Sequence, residues 1–540
     1  MKRKTHPVIF TIIFSLSLIA SASADGEMEV YPQREVKTPA TVVVNKSPTG
    51  DYIEYSAFGA AADGKHDDFN ALLAAHLYAN EKGLAVRADP GGTYYLGGSD
   101  RTIPVQTDTD WLDARFIIDD RRCQNRAAHV FAVTSKTPPY VINGVTTLDK
   151  GARNLGRPLD TDCLVIVVNK NVRRYIRYGL NENTGYPQGD VCIVRKNGDI
   201  DANTPVLWDF EKITSLTAHP MDERELTVRG GVFTTIANRD PSRYTYYKQG
   251  IAIQRSRVTV ENVTHNITGE RDHGAPYAGF ISVQGCAAVR IKSCILTGHK
   301  TYDTIGSAGK KVPMGSYDLA VDGAVNVSFE QCTQTNDILD TRYWGILASN
   351  YCKNLVYDGC VLSRFDAHMG VFNATLKNST LGHQGVNAIG SGVLRIENCR
   401  LQGRSLINLR PDYGSTWKGE VVIKDCVFVP RGGASSDVVL LSGENRGTHD
   451  FGYVCHMPEK ITIDGLVIHD ANTPRGYTGP KIFGDFNPAC VNESYEWKYP
   501  YSITEEVVMR NLTVTSGLPY RISTNVFMFR NVTIKAPEGE

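Results

Sequence analysis

The densest gathering of acids, bases and cations in this sequence lies between residues 299 and 413. His299, Lys300 and Asp303 come first, followed by Asp337-Ile-Leu-Asp340-Thr-Arg342-Tyr343. Ser363-Arg364-Phe-Asp366-Ala-His368, Gly382-His383-Gln-Gly385 and Gly403-Arg404 come next, and Asn408-Leu-Arg410-Pro-Asp412-Tyr413 ends the run. Two chemistries use such a set. Glycosidic hydrolysis needs one carboxylic acid to protonate the leaving oxygen and one carboxylate to activate water or attack the sugar. Asp340 and Asp366 are the pair for it, with His368 and His383 beside them. Arg342, Tyr343, Arg364, Arg404, Arg410 and Asp412, with His299 and Lys300 from the preceding turn, would hold an anionic saccharide by charge-assisted hydrogen bonds. β-Elimination from a uronate instead needs a cation on the carboxylate and a base for the C5 proton, and Arg342, His368, His383 or Arg410 could share those tasks. Neither chemistry demands a cofactor. No ligand spacing requires zinc at His368, His383 and Asp366, and calcium at Asp337 and Asp340 stays open.

These residues are spaced by a repeat. Val289-Arg-Ile-Lys-Ser-Cys294, Val327-Ser-Phe-Glu-Gln-Cys332, Leu355-Val-Tyr-Asp-Gly-Cys360, Leu394-Arg-Ile-Glu-Asn-Cys399 and Val422-Ile-Lys-Asp-Cys426 end alike, and Leu376-Lys-Asn-Ser379 fits with Ser in the Cys place. Each alternates apolar and polar residues, turns at a polar pair and resumes as a second short strand. The charged loops follow that second strand. Similar anchors recur at Leu226, Val258, Ile461, Val507 and Phe527 with variable gaps. Fixed strands with loops of free length indicate an all-β solenoid, a parallel β-helix whose equivalent residues stack about 4.8 Å apart. Superposing the x-Gly-Val/Ile ends of the loops predicts one column of Tyr343, His368, His383 and Arg404. The Cys residues keep the repeat register, which predicts packing inside the coil rather than a disulfide framework. Cys455 and Cys490 fall outside it and could pair.

Before the repeat, Gly59-Ala-Ala-Ala-Asp63-Gly64-Lys-His-Asp67-Asp68 leads into Phe69, Leu72, Leu73, His76 and Leu77 at helical spacing. Asp67 or Asp68 is placed to cap that helix, Gly83 ends it, and Pro90-Gly-Gly-Thr-Tyr94 turns into a strand. This stretch, about residues 53–98, resembles the entry module of the pectate-lyase superfamily of right-handed parallel β-helix proteins. The resemblance implies that the helix plugs the open end of the solenoid. Gly382-His383-Gln-Gly385, between an Asp-bearing and an Arg-bearing turn, is similar to the Asp, Gly-His-Gly, Arg-x-Lys order of polygalacturonase-type glycoside hydrolases. Here Gln384 interrupts the Gly-His-Gly, and no Lys follows Arg410 at the required place.

The expected organisation is therefore a signal peptide at 1–24, an extended leader at 25–50, a cap and first rungs at 51–125, a β-rich insertion at 126–220 and the main β-helix at 221–540. Lys2-Arg-Lys4, the apolar run from Val8 to Ala20 and Ala22-Ser-Ala24 read as a secretory signal cleaved after about Ala24, so the protein is expected to be secreted or periplasmic, without a membrane anchor. Lys plus Arg balances Asp plus Glu at 58 each, so bulk charge gives no reason to expect nucleic acid. The expected partner is a polysaccharide or oligosaccharide, and the sequence does not speak to oligomeric state. Hydrolysis of an acidic polysaccharide is the first expectation, elimination the second, and a non-catalytic glycan-binding or adhesive role the third, since one fold hosts all three.

Overall fold

A computed structural model of the chain describes residues 18–22, 28–32, 50–97, 100–344, 347–431 and 437–535. Most of the expected signal peptide and leader lies outside the described residues. From residue 50 onward the chain winds as a coil with three parallel sheets. One full turn shows the pattern: Ile251–Gln254 in the first sheet, Val258–Glu261 in the second and Thr264–Thr268 in the third. The next turn adds Ala278–Gln284, Ala287–Lys292 and Ile295–Leu296 in register on top of them.

The corner between the second and third sheets explains the repeat. Ser293, Gln331, Gly359, Asn378, Asn398 and Asp425 all have φ between +49° and +65°. Asn and Gly tolerate this left-handed conformation best, which is why the anchor ends in a polar pair. Asn398 Nδ2 donates to Asn378 Oδ1 at 2.9 Å and Asn378 Nδ2 to Asp358 Oδ1 at 2.8 Å, so successive corners are also tied side chain to side chain. The following Cys points inward. Cys332, Cys360 and Cys426 each donate their thiol to a carbonyl one turn back, at 3.3, 3.2 and 3.4 Å. All twelve cysteines are free thiols, so the pairing of Cys455 with Cys490 is not formed.

The helix Phe69–Lys82 buries Phe69, Leu72, Leu73, His76 and Leu77 against the first turns. It also satisfies the edge it covers, because Asn80 donates to the Pro104 carbonyl at 2.8 Å and accepts from the Gln106 N–H at 2.9 Å. An open strand edge would otherwise leave these groups bare. Asp67, not Asp68, receives the helix's first N–H, from Phe69 at 3.0 Å. The Asp68 carboxylate turns back to the N–H groups of Ala61 and Ala62.

Phe131–Thr134 is a rung of the first sheet, pairing with Ile103–Val105 and Ile251–Gln254. The β-rich insertion therefore begins after it, as a four-stranded antiparallel sheet of Tyr140–Val141, Ser215–Pro220, Cys163–Arg174 and Tyr186–Val194. One face has its own core around Val165, Val167, Cys192 and Phe210. The other packs Leu164, Ile166 and Ile193 on Ala287 and Val325 of the coil. A buried ion pair fixes the contact: Lys353 Nζ lies 2.8 Å from Asp190 and donates to the Pro205 carbonyl.

Candidate active site

The outer face of the first sheet carries the candidate site. Its strands alternate, with Phe365, Ala367, Val386, Ala388, Ile407 and Leu409 buried inward. The residues between them face out and stack from turn to turn. Asp366 pairs in register with Asn387, Asn387 with Asn408, and Asn408 with Ser442. Asn408 Nδ2 donates to Asn387 Oδ1 at 2.8 Å, and Ser442 donates its hydroxyl to Asn408 Oδ1 at 3.2 Å. A second column runs beside the first. Gln254 donates to Gln284 at 3.1 Å, Asp322 pairs with Asn350, and His368 Nδ1 donates to Asn350 Oδ1 at 2.8 Å.

Five charges sit where these columns meet the insertion. Arg364 Nη2 is 2.5 Å from Asp366 Oδ2, and Arg410 Nη1 is 3.4 Å from Asp366 Oδ1. Arg410 makes a bidentate pair with Asp412, through Nε at 3.1 Å and Nη2 at 2.7 Å. Asp412 also receives Arg177 from the insertion at 2.8 Å. Arg177 and Arg410 both lie over the Tyr413 ring, at 5.4 and 5.6 Å, and His368 meets the same ring edge-on at 5.4 Å. Burial opposes the Asp412 charge, but Arg410 and Arg177 outweigh it and hold the carboxyl well below the usual range. Burial, then the Arg410 and Arg177 charges, push His368 far below its usual value, so it stays neutral. Upstream of Arg177, Tyr175 packs between Tyr351 and Tyr453 and touches the backbone at Gly370, where a Cβ would overlap its hydroxyl.

Asp366 is therefore not an exposed partner of Asp340. It is wholly buried between two guanidiniums, which gives it the position of an anchor for Arg364 and Arg410. Asp340 lies on the rim. Arg342 chelates it at 2.5–3.0 Å and holds its carboxyl down at about 2. His383 Nε2 donates to the Tyr343 carbonyl at 3.1 Å, and burial lowers its pKa. Tyr343 pairs its backbone with Lys300, whose Nζ donates to the Arg271 carbonyl at 2.7 Å. Arg404 is exposed, and His299 is buried behind the rim.

The expected single column of Tyr343, His368, His383 and Arg404 does not form. Arg364 pairs with Gly385 and Phe365 with Val386, whereas Val371 pairs with Gly390. The Gly-Val after His368 thus leads into the second sheet, and the Gly-Val after His383 leads into the first. The two dipeptides look equivalent in sequence but occupy different corners. His368 bonds through Nδ1 to Asn350 and His383 through Nε2 to a carbonyl. Among the described residues no three His, Cys, Asp or Glu side chains converge as metal ligands.

Sequence reasoning missed Arg177, which lies in an insertion with no readable motif, and the two columns, one through Asn387 and Asn408 and one through Asn350. The columns had a signal: Leu347-Ala-Ser-Asn350, Phe365-Asp-Ala-His368, Val386-Asn-Ala-Ile389 and Ile407-Asn-Leu-Arg410 alternate in the same way. Using these strands as the ruler, in place of the Cys strands, would have aligned them.

No family model matches the chain. A segment of 134 residues is 27% identical to a depolymerase of Klebsiella phage P510 specific for capsule KL64, covering 21% of this chain and 13% of that protein. Among solved structures, the tailspike protein gp49 of Pseudomonas phage LKA1 superposes with a TM-score of 0.53 at 14% identity, over 90% of this chain and 85% of that one. The tailspike gp61 of Pseudomonas phage phi297 gives 0.47 at 13% identity, over 88% and 84%. The chain has the right-handed parallel β-helix fold.

Proposed function

We propose that this protein is an exported enzyme that cleaves glycosidic bonds in an acidic polysaccharide, laid along the outer face of the first sheet between the insertion and the rim loops. The observation that carries this reading is the half-buried network of Arg364, Asp366, Arg410, Asp412 and Arg177, three cations against two anions. Among the described residues, the buried Nε and Nη1 of Arg364 have no hydrogen-bond partner. Buried donors without partners are costly, and a sugar carboxylate matches the geometry a guanidinium offers. The partial similarity to a capsule depolymerase supports a capsular polymer as the substrate class.

Hydrolysis is the leading chemistry, with Asp340 as the carboxylate that activates water, because Arg342 keeps it ionised. Elimination is the second reading, favoured by His383, whose burial keeps the imidazole neutral and able to accept a proton. Incubation with uronate-containing capsular polysaccharides, beside matched neutral polymers, tests the proposal. Falling polymer size with only new reducing ends supports hydrolysis; ultraviolet-absorbing unsaturated ends support elimination. Intact polymer retained on the protein would turn the reading to a binding module, and neither cleavage nor retention would end it.

A further inference from the structure

Two to three turns before Asp366, a second set of titratable groups lies under the same rim. Asp318 is wholly buried and accepts His265 Nδ1 at 2.6 Å, His299 Nε2 at 3.2 Å and the Thr297 N–H at 2.8 Å. His265 stacks flat on Phe280 at 3.7 Å, and His299 on Tyr277 at 5.0 Å. Among the described residues the far nitrogen of His299, Nδ1, has no hydrogen-bond partner although the residue is 1% exposed. It faces Glu270 Oε1 at 3.8 Å. Glu270 keeps 13% of its side chain at the surface and accepts the Lys300 N–H at 3.0 and 3.3 Å. Lys300 in turn pairs its backbone with Tyr343, whose N–H donates to the Asp340 carbonyl, so the backbone that binds Glu270 adjoins the one that carries Asp340.

We infer that Glu270 is the acid that protonates the leaving oxygen of the polysaccharide, with His299 and Asp318 as positioning residues that hold and return its proton. The inference rests on the polysaccharide-cleaving reading and adds the acid that buried Asp366 does not supply. In the step, the Glu270 proton passes to the glycosidic oxygen and the C–O electron pair leaves with that oxygen. In hydrolysis water adds its oxygen to the cleaved carbon and gives its spare proton to Asp340; in elimination His383 takes the neighbouring C–H proton and that C–H pair becomes the double bond. Glu270, left as carboxylate, regains its proton from His299 Nδ1, and solvent at the exposed edge of Glu270 restores a proton to the pair.

The electrostatics agree with the geometry. Burial raises the Glu270 carboxyl, against His299 and the Lys300 N–H, which lower it; Asp318 adds to the rise. Burial opposes the His299 charge, but Asp318 and then Glu270 raise it above the usual value. Asp318 itself, despite burial, is held down at about 2 by His265 and His299. Lys300 Nζ is occupied by Asp272 at 3.3 Å as well as by the Arg271 carbonyl.

The test uses the full chain and Glu270→Gln, a change at the surface end of the set that leaves Asp318 and His265 in place. In wild type and variant, nitrogen NMR follows the His299 imidazole across pH without substrate. Loss of the Glu270 anion should move the His299 titration to lower pH; an unchanged titration overturns the relay whether or not any polymer is cleaved. On a polymer that wild type cleaves, Glu270→Gln should lose kcat at least 100-fold, and the limb of the pH profile that reports the acid should vanish. Retained kcat with an unchanged profile overturns the catalytic assignment while the polysaccharide reading stands. If wild type cleaves none of the panel, the function reading fails alone, and the NMR result still decides the relay.

Discussion

Replacing Asp366 with Asn removes one negative charge from between Arg364 and Arg410 and keeps the size of the side chain. Neutralising one partner of a buried ion pair costs about 3–5 kcal/mol, because the other charge is left without its counterion. Asp366 is 0% exposed, so solvent does little to soften the loss. In a solenoid each turn is stabilised mainly by its neighbours, so the damage should stay in the turns that hold Val361–Lys377 and Thr380–Glu397. At about 1.4 kcal/mol per tenfold, local opening there should become roughly 10²- to 10⁴-fold more frequent. Native-state amide exchange, read by mass spectrometry, measures that opening directly. On a polymer that wild type cleaves, KM should rise and kcat fall together, as Arg364 and Arg410 lose their anchor, while the shape of the pH profile stays. Wild-type exchange rates with activity abolished would refute the reasoning and return Asp366 to the role of acid or base.

Arg342→Ala removes the cation that holds Asp340 at about 2. Its carboxyl should climb toward about 3.9, and the acid limb of activity should move up by as much as two pH units; an unmoved limb would show that Asp340 is not the base. Lys353→Met breaks the buried pair with Asp190 and should loosen the insertion at a cost of about 3–5 kcal/mol. Limited proteolysis should then cut within residues 135–225 before the coil, and a wild-type digestion pattern would count against the ion pair as the tether. Cysteine alkylation under native conditions should reach Cys123 before any other thiol, because the other eleven are buried. That reaction should be slow, since burial and the nearby Asp120 push its thiol up to about 12; rapid labelling of Cys332 or Cys360 would contradict the inward ladder.

Much of the architecture was legible because it follows from local rules. A polar residue or glycine at φ between about +49° and +65° followed by a small inward side chain recurs at the second corners from Ser293 to Cys426, and that constraint is written into Ser293-Cys294, Asn378-Ser379 and Asn398-Cys399. The cap helix was equally legible from Phe69 to Leu77, although which Asp bonds its first N–H was not, since Asp67 and Asp68 are both competent caps. The candidate site was legible as a charged region but not in which of its charges meet. Asp366 and Asp340 have the same side chain on adjacent turns, yet two guanidiniums bury one and the other stays on the rim.

By itself the sequence determined that the chain coils, where its tightest corners fall, and which loops gather charge, because backbone conformation and alternation depend on residues close in the chain. Only the tertiary structure decided which charges meet. Arg177 reaches Asp412 across 235 residues, Glu270 faces His299 from a neighbouring turn, and the Gly-Val dipeptides after His368 and His383 turn into different sheets. Such pairings depend on how many residues each loop inserts between fixed strands, and loop length is free to vary in a solenoid.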